Sequence, residues 1–182
     1  MWDVGRIVLA QTAVLVTWGA GILVLAPAAM WGAHVLGWSR TRIAAAGLAG
    51  ASFALVPATT LARRDAVLGW GRSCLVQPGL SLATPEERLN ALLFVPAAFF
   101  AMLAIRRAAA IVLAALVSAV FIEAAQLVTG LGTCQTSDVV RNVAGATVAC
   151  AAAGLLLRTF PAPGAPSAAR VGHREDDRAT PP

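Results

Sequence analysis

The stretch AAAIVLAALVSAVFIEAAQLV, residues 108–128, decides the class of fold. It is apolar over a length that crosses a bilayer, since about 20 helical residues span a hydrocarbon core of roughly 30 Å. Within it stands Glu123, and Gln126 follows three residues later on the same helical face. An acidic group at membrane depth costs roughly 2.5 to 3.5 kcal/mol on insertion scales, so it is expected to find partners on other helices. Such a residue is a candidate functional group, and the rest of the chain is read around it.

Four further apolar runs surround this one: Ile7 to Met30, Ile43 to Leu61, Leu89 to Ile105 and Val139 to Leu157. Of the 182 residues 58% are hydrophobic and 13% charged, against roughly 25% charged in soluble domains, and mean hydropathy is +0.74. The expected fold is therefore all-α, a polytopic bundle of about five transmembrane helices. The first run is too long for a signal-peptide core and is read as a retained span. Net charge is +5, but all 14 basic residues are arginine and they stand singly or in pairs where apolar runs end. That is the pattern of anchoring at lipid headgroups, and it excludes a nucleic-acid surface.

The connections carry their own signals. Pro27, Trp31 and Trp38 mark an interfacial end of the first span. In the second, Gly47 with Ala51 and Gly50 with Ala54 stand four apart, a spacing that lets helices approach closely, and Pro57 is expected to kink the run or end it. Thr84-Pro85-Glu86-Glu87 reads as a helix start, with a capping threonine, proline at the first position and acids in the first turn. Arg106-Arg107 is so short a turn that the third and fourth spans are expected to be antiparallel neighbours. Ser137 is expected to cap the fifth span, and the chain from Arg158 to residue 182 has the composition of a disordered tail.

Five spans place loops 32–42 and 106–107 and the C-terminal tail on one side of the membrane. The N-terminus and loops 62–88 and 130–138 lie on the other, with near-equal arginine counts, so charge alone does not orient the chain. Glu123 and Gln126, together with Asp138, Arg141 and Asn142 at the start of the fifth span and Asn90 in the third, all lie toward the second side. They define the candidate ligand-binding site, with Glu123 and Asp138 as acid/base candidates and Arg141 as a contact for an anionic headgroup. The alternative is structural: Arg141 neutralises Glu123 or Asp138 while the amides bond between helices. Cys74 and Cys134 fall in the two loops of that side. A disulfide between them is expected if the side is exterior, whereas Cys150 is a packing residue. His34 and His173 lie elsewhere, so no metal site is expected, and no cofactor motif is present.

Three segments resemble the VanZ-like membrane proteins. Leu89-Asn90-Ala91-Leu92-Leu93-Phe94-Val95-Pro96 is similar to that family's N-x-L-L-F-[IV]-P, and Ser118 with Glu123 and Gln126 to its S-x-x-x-x-E-x-x-Q. Asp138 through Ala146 is similar to its D-[VI]-x-x-N-x-x-G-A. Two positions depart from the pattern: Thr133-Cys134-Gln135 lacks an arginine common before the aspartate, and Ala97 replaces a glycine. The resemblance covers about residues 43–157 as a four-helix core. Residues 1–42 then form an additional N-terminal helix and short loop, and 158–182 the tail. It implies a multi-pass protein of the bacterial plasma membrane with a cytoplasmic C-terminus and the polar ends outside. Its function is expected to be binding of an amphipathic or lipid-linked envelope ligand, or a lipoglycopeptide, with a link to teicoplanin-type resistance. Membrane lipids are the other expected partners. Whether a reaction is catalysed is left open. A small transporter or channel, or a structural partner for another membrane protein, are the alternatives, and the scarcity of polar groups in the opposite halves of the spans argues against a pore.

Overall fold

The structure is a computed structural model, described here for residues 12–61, 73–77, 79–130 and 133–159. The start of the first run before Thr12, loop residues 62–72 and 78, residues 131–132 and the tail from residue 160 lie outside the described residues. Among the described residues seven helices follow in order: α1 (Thr12–Val35), α2 (Arg40–Phe53), α3 (Leu55–Leu61), α4 (Pro85–Leu93), α5 (Val95–Ile105), α6 (Ala108–Thr129) and α7 (Thr136–Thr159). They make five spans long and apolar enough to cross a membrane, with α2–α3 and α4–α5 each forming one broken span.

Proline explains both breaks. The ring of a proline clashes with the carbonyl four residues earlier. For Pro57 that residue is Phe53, where α2 ends, and for Pro96 it is Leu92, beside the break at Phe94. After the first break, the Thr59 and Thr60 hydroxyls donate to the Leu55 and Val56 carbonyls, at 2.9 Å and 2.7 Å for the two tighter bonds. Pro27 lies inside α1, which continues past the tryptophan at 31 to Val35. Membrane helices tolerate such prolines because neighbouring groups satisfy the freed carbonyl.

The spans are packed through alanine and glycine. The main core joins Val56, Leu93, Phe94, Ala98, Ile111, Ala115, Ala119, Ile122, Ala146 and Ala149. Small side chains let backbones approach, which is how helices associate where lipid is as apolar as the protein. A Cβ on Gly50 would meet the Leu25 carbonyl oxygen, and one on Gly145 would run into the carbonyl oxygen of Ala91. The small-residue face of α2 thus seats α1, and that of α7 seats α4. Large apolar side chains such as Leu23, Phe121 and Val148 point outward, as lipid-facing residues do.

The order around the bundle differs from the chain order. α1 lies on α2; α2 lies on α5; α4, α5 and α6 all lie on α7; and α3 touches α6. The third and fourth spans meet only slightly, although a two-residue turn joins them. The turn makes them antiparallel, and the fifth span packs against both. Arg106 closes α5 with a left-handed conformation, φ 61°, and Arg42 reaches across to donate from Nε to the Ala104 carbonyl at 2.7 Å.

Candidate functional site

At the end of the bundle opposite Arg42 and Arg106, two loops are fastened together. Cys74 and Cys134 form the expected disulfide. Beside it, the Leu75 amide donates to the Cys134 carbonyl at 2.9 Å and the Thr136 amide donates to the Leu75 carbonyl at 3.1 Å, an isolated parallel bridge. The amide of Gln77 adds a bond to the Thr136 hydroxyl. These ties hold the segment at 73–77 against the loop that precedes α7.

The next segment, 79–84, is fixed by α4 and α7 together. Thr84 and Glu87 form a full capping box: the Glu87 amide donates to the threonine hydroxyl, and the Thr84 amide donates to Glu87 Oε2 at 2.9 Å. This reciprocal pairing satisfies two amides that a helix start otherwise leaves bare. Glu87 Oε1 then pairs with Arg141 Nη2 at 2.7 Å. Arg141 is 3% exposed, and its other donors are also taken within the protein. Nη1 donates to Asp138 Oδ1 at 2.7 Å and to the Ser137 hydroxyl at 3.0 Å, while Nε donates to the Ser81 carbonyl at 2.9 Å. A planar guanidinium suits such a node because its five donors diverge in one fixed fork.

Glu123 belongs to a neighbouring arrangement. It is buried, its Oε2 accepts from the Gln135 amide at 2.6 Å, and it makes no ion pair with Arg141 among the described residues. Its carboxylate lies within 4.8 Å of the sulfur atoms of Cys74 and Cys134. Because those sulfurs are bonded to each other, the carboxylate is a neighbour of the bridge and holds the loop that carries it. Burial of an acidic group is compatible with this place because a backbone N–H meets it directly.

Two amides have no such partner. Asn142 Oδ1 on α7 and Gln126 Oε1 on α6 are buried and accept no hydrogen bond among the described residues. Asn90, on α4, is half-buried and makes no side-chain hydrogen bond there either. Buried polar oxygens of this kind cost about 1 to 3 kcal/mol each when unsatisfied. Gly145, one turn beyond Arg141 and on its face, brings α7 directly against the Ala91 backbone, which fixes α4 and with it Glu87 and Asn90.

The expected residues therefore separate into three sets. Asp138 and Arg141 are joined to each other, with Glu87 as the third charged member. Glu123 is tied to the loop backbone. The amide oxygens of Gln126 and Asn142, and the Asn90 side chain, have no hydrogen-bond partner among the described residues. Ser137 does not act as the helix cap: α7 begins at Thr136, and the serine hydroxyl turns to Arg141. Glu87, Ser81 and Ser137 were missed as members of the cluster. The capping box was the only signal for Glu87, and it says nothing of a partner 54 residues away.

A family model for VanZ/LLP1 matches residues 13–157. The chain belongs to this family. The match takes in the first span, which the three motifs had left outside, and closes with α7. All six of the expected site residues and Glu87 lie within the VanZ/LLP1 match. No curated protein and no solved structure matches the chain.

Proposed function

We propose that this VanZ/LLP1 protein binds an amphipathic or lipid-linked ligand of the bacterial cell envelope at the outer leaflet, and that its physiological output is resistance to teicoplanin-type glycopeptides. The observation that carries this reading is the pair of buried amide oxygens of Gln126 and Asn142, which have no partner among the described residues and lie on adjacent spans beneath a disulfide-fastened cap. A ligand bearing hydroxyl or amide donors would satisfy them, with Asn90 at the rim. The disulfide supports assigning this end to the oxidising exterior, because such bonds persist outside the cytoplasm. The C-terminus is then cytoplasmic and the membrane is the plasma membrane.

Binding is favoured over catalysis by the commitments of the charged groups. Glu123 and Asp138 each have a protein partner at 2.6 Å or 2.7 Å, and Arg141 is spent on internal acceptors. These residues position the cap and the helices, and the amides face the ligand. A deletion strain challenged with teicoplanin, other glycopeptides and unrelated envelope-active compounds tests the proposal. Wild-type protein should restore resistance, and Gln126→Ala with Asn142→Ala, at equal abundance, should not. Indifference of the deletion strain to every such compound would overturn it.

A further inference from the structure

At the other end of the bundle a cleft of about 650 Å³ opens between α1 and α6, floored by α2 and α5. Its walls are mostly alanine and glycine with larger apolar side chains such as Leu25, Leu36, Phe53 and Phe94, and Ser118 contributes a hydroxyl. It runs from Ile105 and Ala110 at the membrane surface to Phe94 and Ser118. At a rise of about 1.5 Å per residue this is roughly 12 to 17 Å, close to half the hydrocarbon core. The cleft is therefore one leaflet deep, and it does not reach the amides of the opposite end.

The mouth of this cleft is cationic. Arg42 lies over the Trp38 ring at 4.2 Å and donates from Nε to the carbonyl of Ala104, and both contacted residues line the cleft. Its two terminal nitrogens have no hydrogen bond among the described residues. Arg106 and Arg107 follow directly on Ile105, exposed, and Arg40 stands two residues after Trp38. No acidic residue lies in segments 34–44 or 103–112. By contrast, Arg88 and Arg141 at the other end are accompanied by Glu86, Glu87, Glu123 and Asp138.

We infer that this cleft holds one acyl chain of an anionic phospholipid, whose phosphate is bound by Arg42 with Arg106, Arg107 and Arg40 around it. An apolar chain gains little by leaving lipid for an apolar cleft, so the tail contributes shape and the headgroup contributes selection. A juxtamembrane arginine near an anionic surface favours it by about fivefold. The site is independent of the amide site proposed above, and it fails or stands without it.

Native mass spectrometry of the full chain, released from nanodiscs of equimolar phosphatidylglycerol and phosphatidylcholine, tests the assignment. Wild-type protein should retain phosphatidylglycerol about fivefold or more over phosphatidylcholine. Arg42→Gln combined with Arg106→Gln and Arg107→Gln should keep a bound lipid and lose most of that preference. Ala114→Phe, which adds a ring to an exposed lining position on α6 without touching the core, should lose the bound lipid while the disulfide remains intact. Retention of the two lipids in equal amounts by the wild type, or undiminished retention by Ala114→Phe, would overturn the inference.

Discussion

Replacing Gly145 with alanine should destabilise the protein, although alanine is the better helix former. In a helix interior Gly→Ala contributes about 1 kcal/mol of stability through propensity alone. At Gly145 the new methyl would be driven into the Ala91 carbonyl oxygen, with the Ala91 carbon at 3.0 Å and Val95 Cγ2 at 3.3 Å behind it. Backbone cannot rotate away as a side chain can, so α4 has to withdraw from α7. Overpacking of this kind costs about 1 to 3 kcal/mol. Glu87 lies one turn before Ala91, so the same withdrawal lengthens its 2.7 Å contact with Arg141 and places the cost at the upper end. The net loss should be about 2 kcal/mol, or about 4 to 8 °C in melting temperature for a chain of this size. Gly154 supplies the control: its added methyl would meet only Met102 Cε at 3.6 Å, an ordinary contact. Thermal unfolding of both variants in the same detergent reads the difference. A Gly145→Ala protein as stable as Gly154→Ala would refute the close approach of α4 and α7.

Three further outcomes are expected. Cys74→Ser with Cys134→Ser opens a loop of 60 residues and should cost about 4 kcal/mol in the chain-entropy account, read by unfolding with and without reductant. Alkylation of the unfolded, unreduced wild type should label Cys150 alone by intact mass, since it is the free thiol; label on three cysteines would remove the bridge. Arg141→Met should cost about 3 kcal/mol, the lower end for breaking a buried pair because Asp138 keeps 15% exposure, and adding Asp138→Asn should recover part of the loss.

The spans are legible in the sequence because each is an apolar run of bilayer length, and the break near Pro57 is legible because proline acts on the fourth residue before it; the break near Pro96 has the same cause but lies in a run read as continuous. The disulfide can be read from topology: the chain crosses the membrane twice between Cys74 and Cys134, which returns their two loops to the same side. Packing order cannot be read, because small-residue faces occur on α2, α5, α6 and α7 alike and the sequence does not say which of them meet. The site is legible as a set of residues and not as a set of bonds. Glu123 announces itself by its apolar surroundings, but its partner is the Gln135 backbone N–H, a group that every residue except proline possesses. Glu87 looks complete as a capping acid, and only the fold brings its second oxygen to Arg141.

The most direct test is Asn142→Leu, which keeps the branched heavy-atom skeleton and removes a buried oxygen with no protein partner among the described residues. If that amide is held for a ligand, its loss should leave the melting temperature equal to or above wild type, by about 1 to 3 kcal/mol of relieved desolvation, while complementation of the deletion strain fails. An Asn142→Leu protein that melts earlier yet still restores resistance would mean the amide serves packing alone.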